Sequence, residues 1–113
     1  MPRTRSAAAH AIAESASTFA ALGDETRLRL VSRLTGEGPL SIARLTEGLP
    51  ITRQAVTKHL RVMEGAGLVT SSAHGRERVW QLDERRVQLA RRHLETISRE
   101  WDQRLARLAR LVT

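Results

Sequence analysis

The segment from Ile51 to Gly67, ITRQAVTKHLRVMEGAG, reads as one short helix with two faces. Thr52 is placed to cap it, because its hydroxyl can accept a bond from an orphan amide of the first turn. Gly65 and Gly67 supply the stop. Val56, Leu60 and Met63 recur at helical spacing and form an apolar stripe, with Ala55 beside it. Arg53, Gln54, Thr57, Lys58 and Arg61 lie off that stripe, and none of them is acidic. A helix anchored by one face and offering such donors on the other can enter a DNA major groove. The same stretch also suits an ordinary solvated amphipathic helix, so its neighbours have to decide.

Upstream, Ser41 is an N-cap for a short helix carrying Ile42, Ala43 and Leu45, closed by Gly48, and Leu49-Pro50 forms the turn into the next helix. A short helix, a tight turn and a helix with exposed donors make a helix-turn-helix. Downstream, Val69, Val79 and Trp80 are strand formers, and Ala73-His74-Gly75-Arg76 is a turn in which Gly75 can take φ > 0. Residues 69–82 therefore read as a β-hairpin, with His74 and Arg76 at its tip and Arg78 just behind. A basic hairpin directly after such a helix is placed as a wing, able to reach phosphates or a narrow minor groove.

Farther upstream, Asp24 caps a helix whose expected buried residues are Leu28, Leu30, Val31 and Leu34. Before it, residues 11–22 are helix-compatible, with Ile12, Phe19 and Leu22 as the main apolar positions, and Gly23 breaks the segment. Residues 1–10 are expected to be a disordered basic tail, and residues 11–113 a single domain. The last third has no glycine or proline. Asp83 caps it, and Val87, Ala90, Leu94, Ile97, Trp101, Leu105, Leu108 and Val112 step by threes and fours. Residues 83–112 thus predict one helix of roughly 40 Å at 1.5 Å per residue. So small a core cannot cover its far half, and a second copy of the chain is the reasonable cover.

Composition narrows the function classes. The 113 residues suffice for one domain with a modest core. There is no cysteine, which removes disulfides, thiolate metal sites and cysteine catalysis. No apolar run approaches membrane-spanning length and no signal segment opens the chain, so a cytoplasmic protein without membrane contact is expected. The net charge is +7. Residues 1–50 carry six basic against five acidic residues, residues 51–80 five against two, and residues 81–113 eight against five. An excess lying in the latter two thirds, around and after the candidate helix, favours a polyanionic partner.

With these pieces assembled, the sequence resembles the ArsR-type winged-helix repressors over about residues 15–112. The resemblance is carried by FAALGDETRLRLVSRL (Phe19–Leu34), LSIARL (Leu40–Leu45), TRQAVTKHLRVMEGAGLV (Thr52–Val69) and GRERVWQL (Gly75–Leu82). It implies a mainly α fold with one β-hairpin, the helix at 52–65 in the major groove, the hairpin as wing, and a homodimer through the first and last helices. With that docking, the residues expected to contact DNA are Ser41, Thr52, Arg53, Gln54, Thr57, Lys58, His59, Arg61, His74, Gly75, Arg76 and Arg78. The residues expected at the dimer interface are Phe19, Leu94, Ile97, Trp101, Leu105 and Leu108. Members that sense arsenic, cadmium or lead use cysteines near the position held here by Leu40, Ser41 and Ile42. Members that sense zinc or nickel use paired Asp/His and His/Glu sets on the final helix, where this chain has His93 alone. The resemblance therefore carries over DNA binding and dimerisation and does not carry over metal sensing. It leaves room for an unidentified small-molecule inducer, and no cofactor is implied.

His59 could touch DNA backbone or pack within the helix pair, and His74 belongs to the wing surface. His93 and His10 could meet across a dimer, yet a metal site needs three or four convergent ligands, so none is expected. No nucleophile–base–orienter set and no phosphate-cradling glycine loop is present, which argues against an enzyme. The leading expectation is a sequence-specific DNA-binding regulator, most simply a homodimeric repressor on an inverted-repeat operator. The alternative is a winged helix used for protein–protein or RNA contacts.

Overall fold

The computed structural model describes residues 6–112. Five helices and three short strands follow one another: α1 (Ala7–Leu22), α2 (Glu25–Glu37), β1 (Leu40–Ser41), α3 (Ile42–Thr46), α4 (Arg53–Gly65), β2 (Val69–His74), β3 (Glu77–Leu82) and α5 (Glu84–Val112). The expected caps are all made. Asp24, Ser41 and Thr52 accept from the amides of Arg27, Arg44 and Ala55, three residues on in each case. The hairpin closes on Gly75-Arg76, with His74 facing Glu77. Gly75 takes φ +64° at the first of the two turn positions, the arrangement whose twist suits a two-residue hairpin.

The core gathers Leu30 and Leu34 of α2, Leu40, Leu45 of α3, Val56, Leu60 and Met63 of α4, Leu68, Val69 and Trp80. The stripe read from 51–67 is therefore the inner face of α4. Trp80, fully buried, is the largest side chain in this core. Val87 of α5 packs against it, and Ala90 is the buried residue of that helix. No helix among the described residues is long and apolar enough to cross a membrane.

Four details differ from the sequence reading. Helix α1 begins at Ala7 rather than near residue 11, because Ser6 caps it through a 3.1 Å bond from the Ala9 amide. The expected tail thus becomes helix from residue 7, and residues 1–5 lie outside the described residues. Second, α1 turns a small polar face inward: Ser15, Thr18 and Ala21 are buried, whereas Ile12 is 62% exposed. Small side chains let α1 lie close against α5. The buried hydroxyls stay bonded, Thr18 to the Glu14 carbonyl and Ser15 Oγ to His93 Nδ1 at 2.5 Å. Third, Leu28 is 51% exposed. It lies two residues from Leu30, and two steps of about 100° carry it to the far side of α2. Fourth, the hairpin is joined by β1, which pairs with β3 at Leu40↔Trp80 and Ser41↔Val79, giving a sheet in the order β1-β3-β2. A two-residue strand is too short to show a period of two.

Candidate nucleic-acid interface

Helix α4 is held rigidly so that its outer face can be offered. Val56, Leu60 and Met63 lock the inner face into the core. Thr52, Gln54, Ala55, Thr57, Lys58 and Arg61 line one shallow concavity on the outer side. Arg53, Gln54 and Lys58 are exposed and have no side-chain partner among the described residues. Thr57 is half-buried and donates back to the Arg53 carbonyl at 2.9 Å, which fixes its rotamer.

The partner helix α3 is clamped by a residue that pattern reading passed over. Arg33, from α2, donates through Nη1 to the carbonyls of Arg44 (2.6 Å), Leu45 (3.3 Å) and Glu47 (3.2 Å). One guanidinium thereby satisfies the orphan carbonyls at the C-terminal end of a five-residue helix that could not stand alone. Its Nε bonds Glu37 at 2.9 Å. That bond holds the Glu37 carboxyl below its usual range. Ser41, half-buried, spends its hydroxyl on capping α3.

Several expected DNA contacts have other partners in the free protein. His59 is half-buried and turned toward the start of α2, its Nδ1 3.4 Å from Arg27 Nη1 and 3.8 Å from Asp24 Oδ2. Asp24 is held below the ordinary carboxylate range, first by the Arg27 amide it caps and then by the charges of Arg27 and His59. Arg61 bonds Glu64 at 2.9 Å and lies over the Trp80 ring at 5.3 Å from its centroid. In the wing, Arg78 donates to Ser71 Oγ at 2.9 Å, and that hydroxyl donates to Glu64 at 3.4 Å. Glu64, which no motif singled out, thus stands where helix and wing meet. Only the folded hairpin brings Ser71 and Arg78 to it. His74 and Arg76 are exposed at the wing tip beside Gly75, without side-chain partners among the described residues.

A second junction ties this face to the outer helices. Arg86 of α5 donates to the carbonyls of Ala66 (3.1 Å) and Glu14 (3.4 Å), and its Nε lies 3.4 Å from the Glu14 carboxylate. Arg85 adds a 3.1 Å pair to Glu14. The Arg86 guanidinium rests on Gly67, where φ is +78°. The end of α4 is therefore joined to α1 and α5 by one side chain. Beyond it, Leu94, Ile97, Trp101, Leu105 and Leu108 are each at least half exposed along one face of α5, while Phe19 is half-buried on α1. Among the described residues, no group of three or more His, Cys, Asp or Glu side chains converges as a metal site would require.

Comparison with known proteins agrees with this geometry. A family model described as a helix-turn-helix domain matches residues 22–72. The HTH-type transcriptional regulator Rv2034 of Mycobacterium tuberculosis is 39% identical over 92 residues, covering 81% of this chain and 82% of that protein. An ArsR-like transcriptional regulator from Rhodococcus sp. RHA1 superposes with a TM-score of 0.73 at 40% identity, over 90% of this chain and 95% of the other. The fold is shared as well by a homodimeric winged helix-turn-helix DNA-binding domain from Mycobacterium bovis, at a TM-score of 0.64 and 17% identity, over 93% of this chain and 94% of that one. The first two of these proteins are transcriptional regulators and not enzymes, and this chain belongs to the ArsR family of winged helix-turn-helix, DNA-binding transcriptional regulators.

Proposed function

We propose that the protein is a homodimeric repressor that binds an inverted-repeat operator, with α4 in the major groove and the β2–β3 hairpin as wing. The observation that carries this reading is the outer face of α4. Arg53, Gln54 and Lys58 stand exposed there, without side-chain partners among the described residues, on a helix whose inner face is locked in the core. Arg and Gln are the side chains suited to bidentate contact with guanine and adenine edges. Arg76 and His74 at the wing tip suit phosphate or minor-groove contact. Arg61 and Arg78 add guanidinium groups along the same surface, and Thr52, Thr57 and Ser41 lie there with their hydroxyls bonded to the helix backbone.

The dimer is proposed through α5, with Phe19 of α1 at its margin. The stripe from Leu94 to Leu108 is more apolar than an exposed helix face needs to be, and a two-fold mate would cover it. Homodimerisation of the Mycobacterium bovis domain, which has the same fold, supports this arrangement. Two recognition helices fixed in this way call for half-sites about one DNA turn apart. With no cysteine in the chain, arsenite and cadmium have no thiolate to take. Release from DNA would then follow from protein abundance or from a non-metal ligand.

Binding-site selection from random duplexes tests the proposal. It should enrich an inverted repeat bound in preference to excess competitor. Recovery of no duplex preference, or preference for single-stranded RNA, would set the reading aside in favour of another use of the winged helix.

A further inference from the structure

We infer that Glu64 is a positioning residue for DNA discrimination: it holds Arg61 of the recognition helix and, through Ser71, Arg78 of the wing, and withholds both from indiscriminate phosphate binding. The inference rests on the docking proposed above. Glu64 Oε1 accepts from Arg61 at 2.9 Å. Its other oxygen accepts from Ser71 Oγ at 3.4 Å, and Ser71 in turn accepts from Arg78 at 2.9 Å. One carboxylate therefore holds one guanidinium directly and is linked through Ser71 to a second, from a different element, at the seam between helix and wing. Glu64 is also the sole acidic residue within α4, on a helix otherwise furnished with donors. Arg61 is held further by the Trp80 ring beneath it.

Two physical effects follow. The first is charge. Any duplex must compete with the carboxylate for these guanidinium groups, and a fixed negative charge beside a phosphate repels it. This penalty falls on every duplex regardless of sequence. The second is order. The chain from Arg61 to Arg78 sets where the wing arginine stands relative to α4. That registration helps only a complex in which helix and wing must be satisfied together. A non-specific complex, dominated by phosphate contacts, gains little from it. Removing the carboxylate should thus favour non-specific binding, while the specific complex gains charge but loses registration.

Glu64→Gln keeps the size of the side chain and one oxygen acceptor but removes the charge. The three-group cluster then rises from one net positive charge to two. Binding is read by fluorescence anisotropy across a salt series, with a labelled duplex of mixed sequence and with the duplex obtained by selection. One additional phosphate contact steepens the salt slope by about 0.9 and tightens binding on the order of tenfold at 0.1 M salt. The expected result for Glu64→Gln is that gain on the mixed-sequence duplex, a smaller change on the selected duplex, and so poorer discrimination. Ser71→Ala cuts only the Arg78 arm and should move the slope in the same direction by less. Unmoved slopes in both variants, or parallel weakening on both duplexes, would overturn the inference. Arg53→Ala and Gln54→Ala separate this from failure of the docking itself. Preference relaxed at a base position in Arg53→Ala or Gln54→Ala, with unmoved slopes in the Glu64 and Ser71 variants, rejects only the role of Glu64. Preference unchanged at every position in both Arg53→Ala and Gln54→Ala rejects the docking, and the inference with it.

Discussion

Gly67→Ala offers a sharp test of how α4 is fastened to the rest of the domain, because Gly48→Ala is its internal control. Both glycines have the same positive φ, +78°. An L-residue in the left-handed region costs about 1–2 kcal/mol, and part of this is offset because alanine reduces the entropy of the unfolded chain. A net cost of about 1 kcal/mol is therefore common to both. At Gly48 nothing lies within 4 Å of the added Cβ, so that is the whole effect. At Gly67 the Cβ falls 2.7 Å from Arg86 Cζ and 2.8 Å from Nη2, and the guanidinium must move. Arg86 is only 19% exposed, and the movement stretches its bonds to the Ala66 and Glu14 carbonyls and to the Glu14 carboxylate. Those bonds are already 3.1–3.4 Å long. Their loss is set at about 2 kcal/mol, near the low end for a charged donor. The expected destabilisation is about 3 kcal/mol for Gly67→Ala against about 1 kcal/mol for Gly48→Ala. Urea unfolding followed by far-UV circular dichroism, at fixed protein concentration because the proposed dimer would contribute, measures both. In an Arg86→Ala background the cost of Gly67→Ala should fall to about 1 kcal/mol. Equal costs for the two glycines, or no coupling between Gly67 and Arg86, would refute the reasoning.

Four further outcomes are expected. Arg53→Ala or Gln54→Ala should weaken binding to the selected duplex by about 1–3 kcal/mol and relax preference at one base position, and competition with single-base variants of that duplex reads this directly. Arg76→Ala should weaken binding nearly equally across sequences and reduce the salt slope by about one unit; wild-type salt dependence would mean that the wing tip stays off the DNA. Trp101, 56% exposed on the α5 stripe, is the expected anchor of the dimer. Trp101→Asp puts a charge in that seam and should give a monomer by sedimentation with loss of operator binding, and an intact dimer would contradict the arrangement. Finally, the folded-state pKa values of Asp24 and Glu37 lie below their unfolded values, so the stability they supply is complete above the ordinary carboxylate range and is lost as pH falls through the lowered values. Acid titration of unfolding should therefore show stability falling below about pH 4, and Asp24→Asn with Glu37→Gln should flatten that limb.

Local signals account for much of this molecule. The hydroxyl or carboxylate of Thr52, Ser41 and Asp24 reaches an amide three residues away, so helix starts could be read at these positions from neighbouring residues alone. The stripe Val56, Leu60, Met63 fixed which face of α4 turns inward, and with it which side chains remained to be offered. Gly75 marked the wing because few other residues accept its φ. The uncovered stripe of α5 was legible because periodicity continued past any core the chain could build. What only the tertiary structure decided is where long polar side chains end. Arg33, Arg61, Arg78 and Arg86 look alike in the sequence, each an arginine in a basic chain. In the fold, Arg33 closes α3, Arg86 joins α4 to α1 and α5, and Arg61 bonds Glu64, which Arg78 reaches through Ser71. The inward turn of Ser15 and Thr18 in place of Ile12, and the two-residue strand at Leu40-Ser41, are of the same kind. Caps, turns and stripes depend on residues within about one helical turn, so sequence carries them. A guanidinium on a flexible stem takes its partners from other elements, and those partners come within reach only after the chain has folded.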